Sequence, residues 1–132
     1  MFVALFDPPT SKLSYVNAGH NYPVLARAGG IVSHLDRGGL LLGVDPDAKY
    51  EEAHVELAED DRVLLFTDGA CEALNENEEE FGEDRIAELF AACKDRDLDR
   101  CLDKIEDEVV RFSGSSDFAD DFTLLVVRRN GS

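Results

Sequence analysis

Two short, almost wholly apolar runs constrain the fold more than any other feature: "VLLF" at residues 63–66 and "FTLLVV" at residues 122–127. They are too short for buried helices and rich in branched side chains, so they read as strands covered on both faces near the centre of a sheet. Each is joined to acid. Asp68 follows the first run by two residues, and Asp120 and Asp121 stand immediately before the second. If the two strands pair antiparallel, the end of one meets the start of the other and these carboxylates converge at one edge. Like charges gathered beside a core cost free energy unless something neutralises them, and a hard divalent cation with oxygen ligands does so. On that reading Asp68 sits on a stiff strand because a metal ligand must be held in place, and Gly69 lets the backbone turn without a side chain. The competing reading is local. Asp68 is then the N-cap of a helix beginning near Ala70, and Asp120 opens a turn. The residues alone leave both open.

The rest of the first half also reads as sheet. Residues 2–6 form an apolar run stopped by Asp7-Pro8-Pro9, and residues 13–16 resume it in alternation. Residues 23–27 and 31–35 flank Ala28-Gly29-Gly30, whose glycines suit a tight hairpin. "RGGLLLGV" is an apolar turn flanked by glycine, "AHVEL" alternates, and Asp60-Asp61 read as turn residues before "RVLLF". Past Asp68-Gly69 the period becomes helical: a short helix from Ala70, a second over residues 83–93, and a third over residues 97–112. The third places Leu98, Leu102, Ile105, Val109 and Phe112 on one apolar stripe, with Asp97 and Asp99 at its start.

The 132 residues suit one domain, read as spanning 1–132 with no linker to divide it. Thirteen Lys and Arg against 29 Asp and Glu give a net charge of −16, which repels phosphate backbones and anionic lipid and so argues against nucleic acid or membrane as partner. No apolar run approaches the ~20 residues of a membrane span, and "MFVALFDPPT" lacks the features of a signal peptide, so a cytoplasmic protein is expected. Cys71, Cys93 and Cys101 are an odd number without a CxxC pair and read as reduced packing residues. Two acidic stretches imitate calcium loops. "DPDAKYEEAHVE" (45–56) has Tyr50, and "DRDLDRCLDKIE" (95–106) has Arg100, where the sharp turn needs glycine, so both are rejected.

Taken in order, "YVNAGHNYPVL", "GGLLLGV", "RVLLFTDGACEALNENEEEFGEDRI" and "DDFTLLVV" resemble the second half of the sporulation-E (SpoIIE-like) branch of the metal-dependent, type 2C-like serine/threonine phosphatases. The resemblance runs from about Phe2 to Arg128. It implies an α+β fold, an antiparallel β-sandwich flanked by helices in αββα layers, present here as a C-terminal part. It also implies a two-metal Mn²⁺ or Mg²⁺ site that activates a water for hydrolysis of phosphoserine or phosphothreonine. Asp68 and Asp120 then match metal-binding aspartates, Gly69 and Asp121 adjoin them, and no side chain acts as a covalent catalyst. His20, in "NAGH", matches a position near the site and is either site-lining or a loop histidine satisfied by backbone.

The family's early "GGD" region and further Asp-Gly motif, which supply other ligands, have no counterpart here. The expectation is therefore a partial domain with an incomplete site, inactive or weakly active alone, that folds only partly as a monomer or forms a homodimer through the face left by the missing half. The implied substrate is a phosphorylated protein of the anti-sigma-factor-antagonist type, in a partner-switching pathway. The alternative is a non-catalytic module that binds a regulatory protein on the same fold.

Overall fold

Alternation in "KLSYVNA" makes one strand the hub of a sheet, because Leu13, Tyr15 and Asn17 turn to a common buried side. The computed structural model describes residues 1–93 and 97–131. In chain order it holds β1 (Phe2–Asp7), β2 (Lys12–Ala18), β3 (Val24–Ala26), β4 (Val32–His34), β5 (Gly38–Gly39), β6 (Ala53–Glu56), β7 (Arg62–Phe66), α1 (Asp68–Cys71), α2 (Glu83–Ala92), α3 (Leu98–Ser113) and β8 (Leu124–Arg128). The hub β2 pairs antiparallel with β1, Phe2 opposite Asn17, and with β6, Lys12 opposite Glu56. The two-residue β5 joins it in parallel. The second sheet runs β4-β3-β7-β8, all antiparallel, with the expected hairpin pairing Val24 to His34 and Gly30 at φ 92° in its turn.

The two sheets enclose Leu13, Tyr15, Leu25, Leu35, Leu57 and Val63. On its other face the second sheet buries Val24, Ala26, Leu64 and Phe66 against Ile86, Phe90, Ile105 and Val109 of α2 and α3. Full burial of each large side chain here contributes about 1.5–3 kcal/mol. The apolar stripe of α3 faces this core, Asp97 caps its start by accepting from the Asp99 N–H at 3.1 Å, and Gly114 ends it at φ 72°. The order is sheet, sheet, helices. The outer face of the first sheet carries no helix among the described residues, and Val3 and Leu5 lie exposed on it. From Leu98 onward the rejected calcium-like stretch is helix; its residues 95 and 96 lie outside the described residues.

Three expectations need correction. The strand within residues 122–127 is not covered on both faces: β8 ends the second sheet, Leu124 and Val126 pack on the helical core, and Leu125 and Val127 are 54% and 51% exposed. Asp61 is not a mere turn residue. Only 1% of it is exposed, and its carboxylate accepts from Arg27 Nη1 at 2.6 Å and from the Ala28 and Ala58 N–H groups at 3.0 and 2.8 Å. Cys93 and Cys101 are not reduced packing residues. They form a disulfide, because the end of α2 and the first turns of α3 bring their Cα atoms to 5.8 Å. Cys71 alone is free, and buried.

Arg62, at the start of β7, is 8% exposed and lies beneath the same junction. Its guanidinium donates to the Cys93 and Phe90 carbonyls at the end of α2 and sits 4.9 Å from the centroid of the Phe90 ring. Burial first, then the nearby Arg128, lowers its pKa. A cross-link over eight residues closes a short loop, so Cys101→Ala is expected to lower stability by ~2 kcal/mol, read as a drop in urea midpoint matched by reduced wild type.

Candidate active site

The rim that β7 and β8 share is built by ladder pairing that ends with Phe66 opposite Leu124. Beyond it, Thr67 continues the join with side chain and backbone together. Its N–H donates to the Thr123 carbonyl at 3.1 Å, while its hydroxyl donates to the Asp121 carbonyl at 2.7 Å and accepts from the Thr123 N–H at 3.0 Å. Residues 67–69 and 120–123 are thereby held side by side.

Gly69 shows how close they come. A Cβ built there would lie 2.4 Å from the Asp121 carbonyl oxygen and 2.7 Å from that of Asp120. Glycine is required at this position because two backbones meet, and not because of a turn with positive φ. Asp68, Asp120 and Asp121 have exposed side chains at this rim. The N-cap of α1 is Thr67, and Asp68 is the first residue within the helix, so capping does not account for Asp68. The Asp120 carboxylate accepts from the Asp121 N–H at 2.7 Å.

Glu72 was not anticipated, although its spacing of four from Asp68 on a helix was a usable signal. Its carboxyl is pushed above the ordinary range by the charge of Asp68 first, then by slight desolvation and the charges of Glu80 and Asp120. One group thus feels both aspartates. With Asp120 and Gly69 it lines a cavity of ≈ 260 Å³ whose other wall includes Ser115, Asp117 and Phe118. Because the charged form of Glu72 is penalised in the folded state, Glu72→Gln should raise the melting temperature above that carboxyl's titration range. The gain should fade as pH falls through it, which melts at neutral and acidic pH will show.

His20 occupies a different place. Its loop is tied by Asn17, whose side chain accepts from the His20 N–H at 2.8 Å and donates to the His20 carbonyl at 2.9 Å, and the imidazole Nδ1 meets the Asn21 carbonyl at 2.6 Å. His20 lines a cavity of ≈ 370 Å³ with Asn17, Asn21, Tyr22, Asp36 and Glu83, walls that include neither Asp68 nor Asp120. Asn21 links this loop to the helices by donating to Cys71 Sγ at 3.2 Å and Glu83 Oε1 at 3.1 Å. The Cys71 thiol is pushed up to about 11 by burial first and then by Glu83, Asp68 and Glu72, so it stays protonated near neutral pH and is a poor nucleophile.

The donor set at the rim is acidic oxygen, which suits a hard divalent cation in kind. In number it is short: no group of three or more His, Cys, Asp or Glu is placed to hold a metal among the described residues.

The pattern of the SpoIIE family, described as Stage II sporulation protein E, matches residues 1–130. The chain belongs to the SpoIIE family. The chain is 29% identical over 131 residues to Protein IcfG of Synechocystis sp., and 28% identical over 134 residues to Phosphoserine phosphatase RsbU of Bacillus subtilis. Each match takes in 98% of this chain, but only 20% of IcfG and 38% of RsbU. The solved phosphatase domain of SpoIIE from Bacillus subtilis, presoaked with Mn, superposes at a TM-score of 0.76 with 19% identity, covering 100% of this chain and 57% of that one. At that identity the likeness concerns fold, and this SpoIIE-family chain has the fold of a little over half of that domain. No helix among the described residues is long and apolar enough to cross a membrane.

Proposed function

We propose that this chain carries part of the metal-binding centre of a metal-dependent protein serine/threonine phosphatase, with Asp68 and Asp120 as ligands for Mn²⁺ or Mg²⁺ and Asp121 beside them. The observation that supports this is the contact of Gly69 with the backbone of Asp120 and Asp121, which puts both aspartates on one rim. When bound, such cations supply a water of lowered pKa and neutralise charge on a phosphoryl group. The chain's own residues do the positioning. Thr67 pins the two segments together, Gly69 permits their approach, and Glu72 adds negative field beside the ligands. The substrate is a phosphoserine or phosphothreonine protein, of the class that passes between partners in cytoplasmic partner-switching pathways. Similarity to a phosphoserine phosphatase supports that class.

Titration with Mn²⁺ in a calorimeter tests the centre. Saturable binding in the wild type that is lost in Asp68→Asn and in Asp120→Asn is expected; heats that ignore both substitutions would remove the proposal. A second reading, a non-catalytic module that binds a regulatory protein, is favoured by the scarcity of ligands at the rim. Hydrolysis of a phosphoserine protein by the chain with Mn²⁺ would exclude the binding module, which gives none even when Mn²⁺ is bound.

A further inference from the structure

We propose that Cys93 and Cys101 form a reversible redox pair in which Cys101 is the reacting sulfur, oxidised to the disulfide by a small hydroperoxide and reopened by a dithiol. The observation that carries this is Arg62. Its side chain is buried and forms no ion pair with a carboxylate among the described residues, and its donors go to the Cys93 and Phe90 carbonyls and, at 3.8 Å, to Cys101 Sγ. A buried cation without a counter-charge costs free energy, and a neutral disulfide supplies none. A thiolate on Cys101 does. Reduction therefore gives Arg62 the anion that the oxidised junction lacks.

The two helices make the pair unequal. Cys101 stands in the first turn of α3, whose positive end favours a thiolate, whereas Cys93 is the C-cap of α2, whose negative end opposes one. The other charges nearby offset one another: Arg128 against Asp60 around Arg62, and Asp97 at the start of α3 paired with Arg100 at 3.5 Å, with Asp99 turned to solvent. Burial selects small reactants, since Cys93 and Cys101 are only 6% and 0% exposed, and it leaves Cys93 as the sulfur nearer to solvent. In oxidation the Cys101 thiolate attacks one oxygen of the peroxide, the O–O bond breaks, and hydroxide or alkoxide leaves with its electron pair. The Cys93 thiol then attacks the Cys101 sulfenic acid, and its proton joins the departing hydroxide as water while the S–S bond forms. In reduction one thiolate of the dithiol attacks Cys93 Sγ and the S–S bond breaks. The electron pair goes to Cys101, the better leaving group because Arg62 stabilises it. The second thiol of the reductant releases Cys93 and closes the reductant's own disulfide.

Hydrogen peroxide added to the reduced chain, followed by alkylation and peptide mass mapping, tests the cycle. The expected product is the Cys93–Cys101 disulfide, reopened by dithiothreitol without denaturant, with Cys71 unmodified. In Cys93→Ser, dimedone should trap a sulfenic acid on Cys101; in Cys101→Ser it should trap none. Iodoacetamide should alkylate Cys101 of the reduced chain with a pH midpoint below the ~8.5 of an ordinary thiol. Arg62→Gln should raise that midpoint and slow the reaction at neutral pH by about tenfold. Should Arg62→Gln fail to fold, the dimedone result and the wild-type midpoint still decide. A pair that peroxide leaves reduced, a disulfide that opens only in denaturant, or a sulfenic acid found on Cys93 instead of Cys101 overturns the proposal. Every readout is taken on sulfur, so none depends on phosphatase activity or metal binding.

Discussion

Replacing Asp61 by alanine should lower the unfolding free energy by about 3–5 kcal/mol, a large share of the 5–15 kcal/mol typical of a domain. The carboxylate is 1% exposed and is an acceptor for three donors at once: the Arg27 guanidinium and the backbone N–H groups of Ala28 and Ala58. Truncation leaves those N–H groups without their acceptor and a guanidinium without its counter-charge. Arg27 also donates to the Glu56 carbonyl at 2.7 Å, so the cluster clips β3, in the second sheet, to β6, in the first. Asp61→Asn keeps an acceptor oxygen and loses the charge, and is expected to fall between wild type and alanine. Urea denaturation followed by circular dichroism measures both. A loss below about 1 kcal/mol for Asp61→Ala would mean that the clip has been misjudged.

Gly69→Ala should be nearly as damaging and more informative about function. The added methyl carbon would lie within 2.4 Å of one backbone oxygen and 2.7 Å of another, and neither atom can rotate away. Residues 120–121 must then retreat from residues 68–69, against the Thr67 bonds that hold them. The cost is expected at about 3 kcal/mol and, on the proposal that Asp68 and Asp120 hold Mn²⁺, affinity for that ion should weaken about tenfold or more because the pair is spread. Gly29→Ala is the control. Nothing stands within 4 Å of its Cβ position, and its change should stay within about 0.5 kcal/mol, with Mn²⁺ binding unaltered. Equal loss of affinity in both variants would disconnect the close approach from the proposed metal centre.

What the sequence disclosed and what it hid divide along a physical line. Period and turn chemistry are local, so the β3–β4 hairpin, the buried run of β7 and the apolar stripe of α3 could all be read from a few neighbouring residues. The rim was legible too, because antiparallel pairing of two adjacent strands follows from few assumptions. Hidden features depend on distant partners. Asp61 looks like a turn residue until Arg27, 34 positions earlier in the chain, is placed beside it. The Cys93–Cys101 bond depends on how α2 meets α3, which no spacing rule supplies. That β8 is the last strand of its sheet among the described residues depends on distant parts of the chain, and an apolar strand of five residues has the same composition at an edge as at a centre. Glu72 is the instructive case. Its spacing of four from Asp68 is local, but its place beside Asp120 in one cavity wall is visible only once that residue arrives from the other end of the chain.

A single strand of five residues anchors two distant parts of the molecule. Arg62 at its first position grips the final carbonyls of α2, and its last position, Phe66, leads directly into Thr67 and Asp68. Helix layer and acidic rim therefore share one ruler, so a substitution anywhere along it should move both ends together, and neither melting temperature nor the proposed cation affinity alone will say which end has moved.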